Sequence, residues 1–209
     1  GTEYEYLMRK ADKALYLAKE KGKNRHIIYE ERLHGKLETD DMQNMAMAYA
    51  VSKEKKREAI TEMITQLCVS GVNAIVKNEE RLQQIRSLFD LDGITIFSDR
   101  GSKLVCRNGN YMAEAPDGRP GFEDERYLSL FGDDDIFVES NMLRLRSQIP
   151  AAYAVTQEQE IGAALQCLSR KEGVPYAMVN FEVFNRNRKW SDEDITLLTL
   201  LGHCIGNLL

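Results

Sequence analysis

Cysteine and histidine are sparse, and neither is arranged to do chemistry. The four cysteines, Cys68, Cys106, Cys167 and Cys204, lie far apart without a CxxC pair, and the three histidines stand at no ligand spacing from them. That excludes a zinc cage and argues against a disulfide framework, so buried free thiols in a reducing compartment are expected. His203 and Cys204 are adjacent, but neighbours on a helix point about 100° apart. A clustered basic field is also lacking, since the net charge is -5. The one basic stretch, Lys53, Lys55, Lys56 and Arg57, is interrupted by Glu54 and Glu58 and reads as a solvated helix face, not a phosphate-binding surface. No apolar run approaches the roughly 20 residues that span a bilayer. No secretory pattern opens the sequence, and the expected location is cytoplasmic. Internal repeats and low-complexity tracts are absent.

What is present is ordinary globular composition, 43% hydrophobic and 29% charged over 209 residues, enough for one good domain with extensions or for two small ones. Residues 4–21 read as a helix, with Leu7, Ala11, Ala14, Leu15 and Ala18 at three- and four-residue steps and Gly22 suited to its C-terminal cap. Residues 26–29 could form a short strand but have no hairpin partner nearby. Residues 30–41 read as a connector. A long helical stretch covers 42–76, with a kink or split at Ser70–Gly71. Another helix starts after Asn78 and buries Leu82, Ile85, Leu88 and Phe89.

The period then changes. Residues 94–97 and 103–107 flank a loop at 98–102 and suggest a hairpin. Residues 111–123 read as irregular, 124–131 as a short helix closed by Gly132, and 136–139 as a strand. The strongest strand signal is the pair 161–169 and 175–184 around a turn at 170–173. In the second of these, Ala177, Val179, Phe181 and Val183 point one way while Asn180 and Glu182 point the other. Ser191 caps a last helix, whose first turn holds Asp192, Glu193 and Asp194. Sequential hairpins with packed helices predict an α+β fold around an antiparallel sheet.

Two stretches resemble known families. Residues 10–25, KADKALYLAKEKGKNR, are similar to the helix and turn that close a GGDEF (diguanylate cyclase) domain. The resemblance implies nucleotide-phosphate contacts at Lys19 and Lys23, inactive here. No GGDEF or GGEEF motif and no RxxD inhibitory site occurs in the sequence, so the metal-positioned phosphates that the reaction needs have no ligands. Residues 57–209 resemble a GAF domain, most specifically at GVPYAMVNFEVFNRNRKWSDEDITLLTLLGHCIGNLL. That resemblance implies a GAF-like central antiparallel sheet with flanking helices, here with an N-terminal helical extension. The implied organisation is a GGDEF remnant at 1–30, a connector helix at 31–56 and a GAF domain at 57–209.

The function implied is a sensory or regulatory module of a cyclic-di-GMP signalling protein whose parent is a GGDEF diguanylate cyclase. Such a module binds a small effector, forms a homodimer, or does both, and so controls neighbouring signalling domains. The alternatives are a ligand-free dimerisation and linker module and a GAF-fold free methionine sulfoxide reductase. The fragment itself is expected to hold no catalytic residues and no metal, and no cofactor is specified. The cyclic-nucleotide pattern of some relatives and the Cys-His order of bilin-binding ones are both absent. In a GAF layout, Phe97, Cys106, Ile136, Val138 and Leu165 are expected to floor a ligand pocket. Tyr111, Tyr127 and Arg144 would roof it. Asp133, Asp134 and Asp135 are read as a solvated loop.

Overall fold

A computed structural model describes residues 3–20, 26–34, 39–71, 79–98, 104–107, 110–112 and 124–209. The chain divides into two compact units, Gly1–Glu54 and Lys55–Leu209.

In the first unit, helix α1 spans Glu3–Glu20 and the single-turn helix α2 spans Glu31–His34. Helix α3, Thr39–Ser70, begins in this unit and ends in the second. Residues 26–30 belong to no helix or strand. The stripe expected on α1 is only partly covered: Ala18 is buried, while Leu7 and Leu15 are exposed.

The second unit is built on one antiparallel sheet of order β3-β2-β1-β6-β5-β4. Its strands are β1 Gly93–Ser98, β2 Leu104–Arg107, β3 Asn110–Met112, β4 Ile136–Glu139, β5 Ile161–Lys171 and β6 Val174–Phe184. Strands β5 and β6 pair over their full length, and Glu172 and Gly173 carry φ of 54° and 83°. Two successive positive-φ residues are the tight hairpin connection that matches strand twist. The turn is therefore shorter than expected. Strand β3 was not anticipated, because its three residues carry too little alternation to be read.

One face of the sheet is covered by helices. Their packing brings together Ile60, Met63 and Leu67 of α3, Leu82 and Ile85 of α4 (Glu79–Leu88), and Leu198, Leu201 and Ile205 of α8 (Asp192–Gly206). The inward side chains of β5 and β6, such as Leu165, Cys167, Val179 and Phe181, complete that core. Helix α3 stops at Gly71, whose φ is +61°. Helix α8 starts where Ser191 Oγ accepts from the Asp194 N–H at 3.1 Å. It lies close on the sheet because Gly202 faces it: an added methyl there would sit 2.5 Å from Cys167 Sγ.

The opposite, loop-side face carries short elements: α5 (Glu125–Leu128), a 3-10 turn (Met142–Arg144), α6 (Leu145–Gln148) and α7 (Pro150–Glu158). Asp124 caps α5 through the N–H groups of Arg126 and Tyr127, and Pro150 opens α7. A second apolar cluster forms there from Tyr127, Phe131, Phe137, Met142, Leu145, Ala164, Leu168 and Met178. The cysteines do not all behave as expected. Cys167 is buried, but Cys68 is exposed and Cys204 half-buried, because α3 turns Cys68 away from the face that buries Leu67.

Candidate functional site

Strand alternation delivers a band of polar side chains to the loop-side face. Thr95 on β1, Asn180 on β6 and Gln166 on β5 are register partners across the three central strands. Glu182 follows two residues after Asn180. All four are buried: Thr95, Asn180 and Glu182 are 0% exposed and Gln166 is 4% exposed. The neighbouring row of the same face, Phe97, Met178 and Leu168, is apolar.

Hydrogen bonds fix the edges of the band. The Thr95 hydroxyl donates to Glu182 Oε2 at 3.1 Å. The Tyr127 hydroxyl, brought in by α5, donates to Gln166 Oε1 at 2.6 Å. At the centre, Asn180 Oδ1 and Nδ2 have no hydrogen-bond partner among the described residues. A buried amide without partners costs about 1–3 kcal/mol, so a fold that retains one in its central strand invites a functional explanation.

The structure redistributes the residues expected to form a pocket. Phe97 and Tyr127 both join the loop-side cluster. Leu165 and Val138 are register partners and pack into the helix-side core instead, and Ile136 pairs with the helix-side Cys167. The expected floor drew residues from both parities of the strands, and a sheet sends those to opposite faces. Arg144 does not point into a pocket: its side chain is 71% exposed and lies 3.8 Å from Glu139. Cys106 and Tyr111 are register partners on β2 and β3, and their side chains lie outside the described residues. So does that of Lys19 on α1, and Lys23 lies outside entirely. The polar band was visible in the sequence as Asn180 and Glu182 interrupting an apolar strand, but its partners on β1 and β5 needed the register.

A second feature lies at the end of the sheet. A cleft of about 310 Å³ is bordered by Asn141, Tyr153, Gln157, Gly162, Asn185 and Arg186, among others. Gly162 is required there, since a methyl would meet the Arg186 backbone nitrogen at 2.7 Å. Beside the cleft runs an ionic network. Asp194 accepts from Lys56 Nζ at 2.6 Å and from Arg188 Nη2 at 2.9 Å. Arg188 also donates to the Phe89 and Asp90 carbonyls and stacks over Trp190, 4.2 Å from its ring centroid. Burial opposes ionisation of Asp194, but Lys56 and then Arg188 outweigh it and hold the carboxyl below the usual carboxylate range. Burial lowers Arg188, with Asp194 opposing. The network ties α3, the end of α4 and the start of α8 together. Among the described residues, no group of acidic, histidine or cysteine side chains could hold a metal ion, and no helix is long and apolar enough to cross a membrane.

An antiparallel sheet with helices on one face and short elements over a polar band on the other is a GAF-like α+β fold. Solved structures are similar to this chain. The protein JSC1_58120g3, in its far-red absorbing dark state with bound biliverdin IXa, superposes with a TM-score of 0.50 at 14% identity, over 72% of this chain and 96% of that one. The chromophore-binding domain of the Stigmatella aurantiaca bacteriophytochrome gives a TM-score of 0.49 at 15% identity, over 73% of this chain and 59% of that one. GAF3 from Slr1393 of Synechocystis gives 0.41 at 12% identity, over 65% of this chain and 90% of that one. At 14% identity the first of these likenesses is a likeness of fold alone. No protein-family model and no curated protein matches the chain.

Proposed function

We propose that residues 57–209 form a sensory GAF module that binds a small ligand on the loop-side face of its sheet. The observation that carries this reading is Asn180, buried at the centre of a polar band with both amide atoms unpartnered among the described residues. Such a group is satisfied by a ligand or is a standing cost. Ligand-dependent strengthening of the sheet would be passed through the Lys56–Asp194–Arg188 network to α3 and α8 as a population shift. Residues 1–30 are the closing part of a GGDEF domain and 31–56 the connector. The GGDEF-like motif at 10–25 and an α1 that leaves Leu7 and Leu15 exposed both support this. The parent would then be a diguanylate cyclase in cyclic-di-GMP signalling.

Two experiments test the reading. A bound ligand at about one hundred times its dissociation constant should add about 2.7 kcal/mol of stability, so thermal melting against small-molecule panels should find one. With GTP and Mg²⁺ the chain should yield no cyclic-di-GMP, and sustained turnover would refute the remnant.

A second reading, a dimerisation module, is favoured by exposed apolar side chains in the helical layer: Val69 is 81% exposed and Leu200 54%. The reductase reading is weakened at Cys167, whose thiol burial pushes up to about 12, leaving essentially no thiolate at neutral pH.

A further inference from the structure

We propose that Cys68 and Cys204 are partners in a reversible disulfide that latches α3 to α8, a modification site that stands whether or not the loop-side face takes a ligand. The placement follows from the ion pairs that open the seam between these helices. Lys56 and Arg57 of α3 meet Asp194 and Glu193 of α8, at 2.6 and 2.9 Å. Further along, Ile60 and Leu67 share one core with Leu198, Leu201 and Ile205, so the two helices run side by side in the same direction. Cys68 lies eleven residues after Arg57, and Cys204 eleven residues after Glu193. Eleven residues are three helical turns with only about 20° to spare and a rise of about 16.5 Å. Both cysteines therefore stand on the stripe of their own helix that carries the Arg57–Glu193 pair, and at the same height. Ile64 and Leu197, on the same stripes in between, are partly buried against the helix-side core, so the stripes stay at the seam.

The surroundings suit the chemistry. A disulfide needs Cα atoms about 4.4–6.8 Å apart. Packed helices lie about 8–10 Å apart axis to axis, with Cα atoms about 2.3 Å off each axis, so positions that face one another across a seam meet that span. Cys68 is exposed and Cys204 half-buried. The Cys204 thiol is raised, first by burial and then by charge on Cys68, which agrees with sulfurs that are neighbours. Exposure makes Cys68 the thiol that meets a soluble peroxide first. Its thiolate attacks one peroxide oxygen, the O–O bond breaks, and a sulfenic acid and water result. The Cys204 sulfur, giving up its proton, then attacks the Cys68 sulfur, and the sulfenic oxygen leaves as a second water. Two thiols lose two electrons and two protons, and one peroxide becomes two waters. Exchange with a dithiol reverses the bond. In a reducing compartment such a bond forms only transiently, which is the behaviour of a redox sensor.

The test treats the full chain with hydrogen peroxide and digests it without reductant. A cross-link between the Cys68 and Cys204 peptides of one chain is expected, and dithiothreitol should release it. Iodoacetamide labelling of both cysteines should fall roughly tenfold or more on oxidation and return on reduction. The linked protein should also melt higher than the reduced one, because a bond that closes a long loop constrains the unfolded chain. Cys68→Ser, at an exposed position, should fold normally and lose both the cross-link and that rise. Cys204→Ser should lose them too, with Cys68 then stopping at the sulfenic or sulfinic stage. Oxidation of Cys68 alone in the parent, a cross-link between two chains, or a bond from Cys68 to Cys106 or Cys167 would overturn the pairing. A linked pair that does not raise the melting temperature would overturn the latch. Ligand-induced melting shifts at the loop-side face are read separately, on the reduced protein.

Discussion

Individual side chains in the second unit carry opposite burdens. Asn180 is buried without described partners, whereas Asp194 is buried with two cations on its oxygens. The side chains of Lys56, Asp194 and Arg188 are only 18%, 9% and 10% exposed, so screening by water is weak. Asp194→Asn leaves two cations facing a neutral amide and should destabilise by about 3–5 kcal/mol at neutral pH. The pH dependence has a definite sign. The folded Asp194 lies below its ordinary value of 3.8, so its contribution is complete above that value and is lost as pH falls through the lower folded one. Urea unfolding of both proteins should show a wide gap at pH 7 that narrows below pH ~4. A gap independent of pH would remove the ion pairs from the account. The thiols make a separate case. Cys167 is buried with its thiol raised to about 12, while Cys68 is exposed. Iodoacetamide followed by peptide mapping should modify Cys68 in the native protein and Cys167 only after unfolding. Native labelling of Cys167 would show that the sheet opens on that side.

At the scale of elements, helix α8 shows how closely two layers meet. Gly202 stands over Cys167 and Gly206 over Ser169, and Tyr176 donates to the Gly206 carbonyl at 3.0 Å. Gly202→Ala gains helix propensity of about 1 kcal/mol but forces a methyl into Cys167, an overpacking that costs about 1–3 kcal/mol. The clash has backing on both sides, so a net loss of stability is expected, with partial recovery in a Gly202→Ala, Cys167→Ala double variant. Equal stability of Gly202→Ala and the parent in denaturant titration would mean that α8 rides further from the sheet. This close contact was not legible in the sequence, where Gly202 and Gly206 are simply two glycines in an apolar helix. The Ser191 cap and the β5–β6 hairpin were legible, because each depends on local chemistry: a hydroxyl before an acidic turn, and alternation around a glycine turn. Strand β3 and the short helices between 142 and 158 were not, since they are too short to show a period. The pocket failed for a related reason. Alternation was read within β6, but nothing local tells Leu165 on β5 from Gln166 as the residue sharing a face with Asn180. Only the register does that.

For the whole molecule, the accounting of apolar surface decides what the helices are for. A homodimer built on the helices around 42–76 and 191–209 needs apolar surface beyond what one small sheet can cover. The second unit takes up much of that surface itself: Ile60 is 1% exposed and Leu201 0%, both inside the helix-side core. Val51, in the first unit, is 48% exposed, and Met47 and Tyr49 beside it are 70% and 60% exposed. In the second unit Val69, Leu200 and Leu208 stay out of water only in part. A homodimer, if the helices build one, must use these leftover side chains and not the ones that hold the sheet. That separates assembly from folding, because an exposed position can be charged with little effect on stability. Leu200→Glu should therefore leave the melting temperature within about 1 °C, consistent with surface changes below ~0.5 kcal/mol. It should also shift sedimentation at micromolar concentration from dimer towards monomer. A parent chain that sediments as monomer under the same conditions would show that these side chains are scattered surface residues, and would leave ligand binding at the loop-side face as the route by which this module acts on its neighbours.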